Sequence, residues 1–338
     1  RRGKIAYMIV IVLTIADLFI MHRRQNPVVA KDEWERVPHT AQMIRQDTSL
    51  FRVFSIGGVE SHKIAFSRAA GWSKDLTPYI QQRAVLQPSS NILYNIASAD
   101  GYINLVPRTT VQMWGNEKRR GVIHSTASLS PDLSCLIVTE NFINILKAFN
   151  VKYLVSIWPI EYPGLKLLKV QDGVWLYQNL DVLPRAYPVF KATSMNDQAA
   201  SAHLIQGKID LSRVVIINDS TIPDVSDDTS DGGAGRVFIK TYNTRQIEIE
   251  VNFLRKGWLF LSDTYYPGWS ARVDGQRVKV YRANICGRAI PLEAGRHQVT
   301  FFYQPRSYQI GKLISLLSLF IISVGIFLDR IFFLRIKL

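Results

Sequence analysis

The chain has 338 residues, 47% of them apolar, and carries 41 Lys and Arg against 27 Asp and Glu, a formal charge of +14. This apolar content is ample for a folded core, and the length suits two domains between the chain ends. The basic residues are scattered and form no concentrated stripe, which excludes nucleic acid as the expected partner. The chain contains no P-loop, G-x-G-x-x-G turn, G-x-S-x-G elbow or metal-ligand spacing of Cys and His. We therefore expect no nucleotide-driven or hydrolase chemistry and no metal site.

Apolar runs near the two ends predict two membrane-spanning helices. Residues 5–21 and 310–328 are 17 and 19 residues long, and at ~1.5 Å per residue either run can cross a bilayer core of ~30 Å. Arg1, Arg2 and Lys4 precede the first run, and Arg330, Arg335 and Lys337 follow the second. Such basic flanks favour the cytoplasm for both ends. The long segment between the runs is then expected on the outer side of the membrane.

One carboxylate, Asp17, lies within the first run. An intramembrane carboxylate is a candidate functional group, but Asp17 lies about one turn before Arg23 and can pair with Arg23 or Arg24 at head-group level. We favour the second interpretation. The first run is not followed by a small-residue cleavage site, so we expect a membrane anchor and not a signal peptide. Because the chain starts at Arg1 and not at Met, we expect it to be a fragment of a longer protein.

Residues 25–218 predict an extracytoplasmic α/β domain. Residues 50–55 are typical of a strand, and residues 141–150 place Phe142, Ile145 and Leu146 on one face of a short amphipathic helix. Residues 151–157 follow this helix at once as a strand, so the domain contains a helix-then-strand unit. A further helix is predicted over 193–206 and a strand over 214–217.

An irregular stretch of this domain, residues 95–108, is the first candidate binding loop. It holds Asp100, Gly101, Tyr102, Asn104 and Arg108 with little periodicity. Arg108 can meet a phosphate, and Asp100 can accept a hydrogen bond from a hydroxyl group or take part in acid–base work. The alternative is structural, since Gly101 can permit a tight turn that Asp100 caps.

The rest of the outer segment predicts a linker and a second domain. Residues 219–235 are acidic and Gly-rich, and their aspartates miss the spacing of a calcium loop, so a flexible linker is expected. Residues 236–305 show short strands separated by turns, which predicts a jelly-roll-like antiparallel β-sandwich. The sandwich runs almost directly into the second span, residues 306–338 with the cytoplasmic tail, and should lie against the membrane. Residues 1–24 form the first span with its basic flanks.

The second domain offers three further candidate binding residues. Trp269, within the aromatic stretch 265–269, can present a flat surface to a sugar, but it also suits a core position beside a turn, which we favour. Arg282 and Asn284, with Arg288, can bind a phosphate or sugar hydroxyls, although solubility of a strand edge explains them as well. Cys135 and Cys286 lie far apart along the chain and are expected to be free thiols.

The stretch 262–305 resembles a known family. The residues that carry the resemblance are Ser262 to Trp269, Val273-Asp274-Gly275, Tyr281 to Asn284, Pro291, Ala294 to His297, Phe302 to Pro305 and Gly311. In order and spacing they are similar to the C-terminal part of the bacterial YfhO membrane proteins. Earlier segments agree, among them Asn150 to Tyr153 and Leu183 to Ala186.

This resemblance implies a multi-spanning protein similar to the GT-C glycosyltransferases, which use polyprenyl-phosphate-linked sugars outside the cytoplasmic membrane. In such enzymes the acid–base carboxylate lies in an early outer loop, so no catalytic residue is assigned to this chain. The implied function is that of a C-terminal fragment of a glycosyltransferase modifying a cell-envelope polymer or lipid. Its outer domain would position donor or acceptor, and the fragment alone would be inactive.

The resemblance also implies the location and the partners. We expect a multi-pass protein of the bacterial cytoplasmic membrane, whose partners are the lipid bilayer, a missing N-terminal multi-span core, the polyprenyl-phosphate sugar and an envelope glycan acceptor. No cofactor is expected in this chain. The alternative function is that of a non-enzymatic, membrane-anchored module that binds glycan or lipid or acts as a scaffold.

Overall fold

The computed structural model describes residues 2–22, 30–67, 76–87, 89–100, 106–116, 119–219, 222 and 235–336. The chain divides into two compact units, Arg1–Leu183 and Pro184–Leu338. Nearly all of the predicted linker, 219–235, lies outside the described residues, as do Gly101, Tyr102 and Asn104 of the candidate loop.

The first unit combines helices with short strands. Its helices are α1 (Arg2–His22), α2 (Lys31–Glu35), α3 (His39–Ile44), α4 (Gly58–Ser67), α5 (Thr77–Ala84), α6 (Arg108–Trp114) and α7 (Glu140–Ala148), with 3₁₀ turns at Ser90–Tyr94 and Val122–Ser125. Its strands are β1 (Arg52–Ile56), β2 (Gly115–Asn116), β3 (Arg119–Arg120), β4 (Ala127–Leu129), β5 (Leu136–Val138), β6 (Val151–Ser156), β7 (Leu165–Gln171) and β8 (Val174–Asn179).

A mixed sheet of order β1-β6-β8-β7 organises this unit. β1 is parallel to β6, whereas β6 and β7 are antiparallel to β8. The predicted helix over 141–150 and strand over 151–157 are confirmed as α7 and β6. Asn150 makes the sharp connection between them, with φ +58 and a hydrogen bond from its side-chain amide to the Leu183 carbonyl at 2.8 Å. Asn tolerates this left-handed conformation better than most residues.

One face of this sheet is buried against helices and turns. Val53 of β1, Val155 of β6 and Leu176 of β8 form an apolar cluster with Ile44 of α3 and with Leu86. All five side chains are fully buried. Burial of such a side chain contributes about 1.5–3 kcal/mol, so this cluster holds β1 and the residues beside it in place.

The second unit is built mainly of strands. Its strands are β9 (Ala186–Val189), β10 (Lys191–Ser194), β11 (Val214–Ile217), β12 (Gly235–Tyr242), β13 (Gln246–Phe253), β14 (Gly257–Leu261), β15 (Trp269–Val273), β16 (Gln276–Val278), β17 (Tyr281–Ala283), β18 (Gly287–Leu292) and β19 (Gly295–Tyr303). Its helices are α8 (Asp197–Ile205) and α9 (Arg306–Ile336).

Two sheets, of orders β10-β11-β17-β18-β14-β9 and β12-β13-β19-β15-β16, make up this unit. In β13, Ile247, Ile249 and Val251 are buried while the residues between them are not, the period-two pattern of a half-buried strand. These three residues share one apolar cluster with Leu259 and Ile290 of the other sheet. The two sheets therefore bury their apolar faces together.

The boundary between the units differs from the predicted one at residue 218. It lies at Leu183–Pro184, because β9 pairs with β14 and β11 pairs with β17 in the six-stranded sheet. Local periodicity identifies 214–217 as a strand but carries no information on a pairing partner so far along the chain. The polar composition of 219–235 suggested a boundary, but β11 before this segment and β12 after it both belong to the second unit.

The second unit passes into its long apolar helix over a very short junction. β19 ends at Tyr303 and α9 begins at Arg306. The Gln304 amide donates to the Gly268 carbonyl at 2.8 Å. Gly268 has φ +109, and a Cβ added there would lie 2.9 Å from the Cα of Pro305, so only glycine fits this turn. The sheet is thereby fixed to the start of the helix.

Two helices are long and apolar enough to cross a membrane, with segments Gly3–Met21 and Arg306–Leu328. Neither segment is buried inside the protein. The two predicted spans are thus present as helices, in agreement with the apolar runs of the sequence.

Candidate functional site

Asp100 lies at the edge of the first unit's sheet. The residues just before it run beside β1, where the Val53 amide donates to the Ala97 carbonyl at 2.8 Å and the Ala99 amide donates to the Val53 carbonyl at 2.9 Å. The Ser98 hydroxyl then donates to a carboxylate oxygen of Asp100 at 2.6 Å. Backbone pairing to a buried strand therefore fixes the position of this carboxyl group.

The environment of Asp100 favours the protonated form more than water does. Burial raises the pKa of the Asp100 carboxyl to about 6, although hydrogen bonds from Ser98 and from its own backbone amide act in the opposite direction. The residue as a whole keeps some solvent exposure. A carboxyl group with a pKa near 6 can accept or release a proton close to neutral pH, the property required for acid–base work.

The structure does not join Arg108 to this carboxyl group. Arg108 is the first residue of α6 and is exposed. Within residues 89–100 and 106–116, no hydrogen bond or ion pair connects its guanidinium to Asp100. The other predicted members, Gly101, Tyr102 and Asn104, lie outside the described residues, so binding by the loop as a whole stays a prediction.

Arg282 and Asn284 make contacts within the second unit. One Arg282 nitrogen lies 2.8 Å from a carboxylate oxygen of Asp197, and another donates to the Ile285 carbonyl at 3.1 Å. Asn284 exchanges two hydrogen bonds with Ile216, from its own amide at 2.8 Å and to its side-chain oxygen at 2.9 Å. These contacts connect the β17–β18 turn to α8 and β11. A role in binding substrate stays a prediction for both residues.

Trp269 packs against the core of the second unit. Its ring lies 5.3 Å from that of Tyr303, and the Arg288 guanidinium carbon lies 3.7 Å from its centroid. The ring also contacts the apolar cluster shared by the two sheets. These contacts agree with the favoured interpretation of Trp269 as a core residue beside a turn.

A buried ionic cluster in the second unit was not predicted. Asp263, Arg185 and Arg288 are each at least 94% buried. Asp263 lies 3.4 Å from a nitrogen of Arg185 and 3.4 Å from a nitrogen of Arg288. The Tyr242 hydroxyl donates to the same carboxylate at 2.8 Å. Arg185 and Asp263 are 78 positions apart, so only their place in the family-like stretches 183–186 and 262–269 pointed to them.

This cluster carries more positive than negative charge. Two guanidinium groups face one carboxylate, which leaves a charge of +1 within the cluster. Burial lowers the pKa of Arg288 to about 10, while the charge of Asp263 acts in the opposite direction. The face of Trp269 compensates in part, because an aromatic ring attracts a cation lying over it. The Arg288 Nε also donates to the Asp263 carbonyl at 3.4 Å, so the arginine holds both side chain and backbone of Asp263.

Among the described residues, no group of three or more His, Cys, Asp or Glu is placed to hold a metal ion. Cys135 and Cys286 are free thiols, as expected, and Cys286 is the buried one.

The model of one family, described as bacterial membrane protein YfhO, matches residues 149–315. The matched part begins beside β6 and ends within α9, so it includes the ionic cluster and the junction but not Asp100. Comparison with curated proteins and with solved structures gave no match.

Proposed function

Because residues 149–315 of this chain belong to the YfhO family of bacterial membrane proteins, we propose that the chain is the C-terminal part of a glycosyltransferase of the GT-C kind. The intact protein takes a sugar from a polyprenyl-phosphate donor and adds it to a cell-envelope polymer or lipid. The family match carries this proposal. Two helices able to cross a membrane support it, since the donor is itself a membrane lipid.

In this proposal the parts of the two units that lie between α1 and α9 along the chain are on the extracytoplasmic side, where they position donor or acceptor. The two facing sheets of the second unit serve there as a β-sandwich held at the membrane. The catalytic carboxylate belongs to the membrane core that precedes this chain.

Asp100 is the side chain best suited to position an acceptor. Its pKa of about 6 leaves the carboxyl mostly ionised at neutral pH, so it accepts a hydrogen bond from a sugar hydroxyl strongly. The Ser98 hydroxyl at 2.6 Å holds the carboxyl group in place for this contact.

A second candidate function is a membrane-anchored binding or scaffolding module without enzymatic activity. It is favoured by the contacts of Trp269, Arg282 and Asn284, which hold strands, turn and helix of the second unit together. Side chains used in this way are less available to a substrate.

Sugar transfer by the intact protein distinguishes the two functions. Membranes from cells that express the whole gene would be supplied with a labelled polyprenyl-phosphate sugar, and label in envelope polymers and lipids would be measured. We expect transfer that depends on the gene and falls at least tenfold in Asp100→Asn. The matched control is Asp181→Asn, which removes only an exposed ion pair with Lys147.

Each result of this assay has a defined meaning. Absence of transfer, together with binding of glycan or lipid phosphate by the same membranes, would establish the second function. Equal loss in Asp100→Asn and Asp181→Asn would remove Asp100 from the proposal. Transfer by residues 1–338 alone would place the catalytic carboxylate within this chain.

A further inference from the structure

One end of the second unit's five-stranded sheet lies at the start of α9. Two connections lie beside the β19–α9 junction at this end. They are the turn of residues 243–245 and the loop of residues 264–268. The Tyr303 amide donates to the Arg245 carbonyl at 2.9 Å, and the Gln304 amide donates to the Gly268 carbonyl at 2.8 Å. We call the turn, the loop and the first turn of α9, residues 306–308, the junction face.

The loop of the junction face is held rigidly at both ends. At its start, Asp263 is bound by Arg185, Arg288 and Tyr242. At its end, Trp269 lies under the Arg288 guanidinium. Within it the Tyr265 amide donates to the Cys286 carbonyl at 2.6 Å. The buried ionic cluster therefore fixes the shape of a loop that is itself partly exposed.

The exposed side chains of the junction face include two tyrosines and two arginines. Tyr266 is 49% exposed and Tyr308 is 68% exposed, and Arg245 and Arg306 are exposed. The residues 243–245, 264–268 and 304–308 include no Asp or Glu. The opposite end of the same sheet carries carboxylates as well as cations: Asp274 pairs with His297, and Glu293 pairs with Lys256. The junction face is thus distinguished by exposed cations without carboxylates in the same segments.

The distance along α9 places this face near the lipid head groups. The apolar run begins at residue 310, four residues after the helix begins at Arg306, which is about 6 Å of helix. A whole bilayer is ~40–45 Å thick and its hydrocarbon core is ~30 Å thick. Half of this difference is the thickness of one head-group layer, which is similar to this length of helix. Tyrosine is enriched at this depth because its ring is apolar and its hydroxyl polar, while Arg attracts anionic lipid phosphates.

We propose that the junction face binds the head-group layer of an anionic bilayer, with Tyr266 and Tyr308 at the interface and Arg245 and Arg306 on lipid phosphates. The second unit is then seated on the membrane surface as well as tethered to it. This inference needs only that α9 crosses the bilayer, and it holds for either candidate function.

Depth-dependent fluorescence quenching tests this seating. The intact protein, with Cys135 and Cys286 replaced by Ser and Ala, would carry a polarity-sensitive dye at Tyr266→Cys or Thr244→Cys. It would be reconstituted in phosphatidylcholine vesicles, with or without phosphatidylglycerol, that contain head-group-attached nitroxide lipid. The matched control is Leu254→Cys, which is 72% exposed at the far end of β13, about 25 Å away along the strand.

We expect at least threefold stronger quenching at residues 244 and 266 than at residue 254. Phosphatidylglycerol in the vesicles should increase this difference in quenching. The increase should be smaller in Arg245→Gln than in the protein that keeps Arg245. Equal quenching at all three positions, or none at residue 244 or 266, would overturn the proposal. Because Thr244 is exposed and outside the apolar cluster, its variant keeps the test valid if Tyr266→Cys fails to fold. Sugar transfer is not part of the readout, so failure here is distinct from failure of the proposed glycosyltransferase.

Discussion

At the scale of single residues, Asp100 and Asp263 show how differently two carboxyl groups can be used. Asp100 meets one neutral hydroxyl at 2.6 Å, and among the described residues no cation compensates its burial. Asp263 lies between two buried guanidinium groups and a tyrosine hydroxyl. A carboxyl group in the environment of Asp100 changes its protonation near neutral pH. One in the environment of Asp263 is required as a fixed negative charge.

The titration of Asp100 should make the protein less stable as the pH rises. Because its pKa is raised from 3.8 to about 6, the folded state binds the proton more tightly than the unfolded chain. This contribution is complete below pH 3.8 and is lost as the pH passes through about 6, an effect of roughly 1–3 kcal/mol. Asp100→Asn keeps the acceptor for Ser98 and removes the titration, so its thermal midpoint in detergent should exceed that of the parent at pH 8.

Asp132, in the same unit, provides a control whose pKa is shifted in the opposite direction. Hydrogen bonds from Ser130 and Ser134 lower the pKa of Asp132 to about 2, so its contribution is present above pH 3.8 and lost as the pH falls toward 2. Asp132→Asn should therefore leave the midpoint at pH 8 no higher than that of the parent. A midpoint of Asp100→Asn that follows pH as the parent does would contradict the assignment.

Removal of the Asp263 charge should strongly destabilise the second unit. In Asp263→Asn two buried guanidinium groups lose their counter-charge, and breaking a buried pair in this way costs about 3–5 kcal/mol. The matched control is Asp274→Asn, whose carboxylate is about half exposed and pairs with His297; it should cost at most about 1 kcal/mol. The free energies of unfolding can be compared by denaturant titration in detergent, and equal costs would contradict a structural role for the cluster.

At the scale of elements, Gly268 and Gly275 lie just before and just after β15. Substitution of each allows the cost of backbone strain to be measured apart from the cost of steric crowding. Gly268 has φ +109 and its added Cβ would meet Pro305, while Gly275 has φ +85 with open space around it. Gly275→Ala should cost roughly 1–3 kcal/mol through strain alone. Gly268→Ala should cost at least about 1 kcal/mol more, because the junction to α9 must also move. Thermal unfolding of both variants measures the difference, and equal midpoints would show that the junction yields freely.

The elements recognised from the sequence are those with a local pattern. The helix α7 and strand β6 were predicted because their apolar periodicities are complete within ten residues. The pairing of β11 with β17 and of β9 with β14 depends on residues far apart along the chain, so local patterns could not indicate the division at Leu183–Pro184. The same reason hid the Arg185–Asp263 contact, whereas Asp100 could be singled out because its neighbours lack periodicity.

At the scale of the whole molecule, the two free cysteines can report which side of the membrane the units occupy. Cys135 is partly exposed and Cys286 is buried. If the region between the helices is extracytoplasmic, a membrane-impermeant maleimide should label Cys135 in intact cells and should leave Cys286 largely unmodified.

The control for this experiment is Cys135→Ser, in which labelling of intact cells should fall to background. Labelling of Cys135 only after the membrane is permeabilised would show the opposite orientation. That result would also remove access of these units to an extracytoplasmic acceptor.

The short junction between β19 and α9 has a mechanical consequence. Membrane helices tilt by about 20° on average, and the tilt changes with bilayer thickness. Gln304 and Pro305 are held against Gly268, so we expect a rotation of α9 to be passed on to the sheet. Over a strand of about 25 Å, a 20° rotation displaces the far turns by roughly 9 Å. If α9 crosses the bilayer, the distance between these far turns and the membrane should therefore change with the thickness of the lipid.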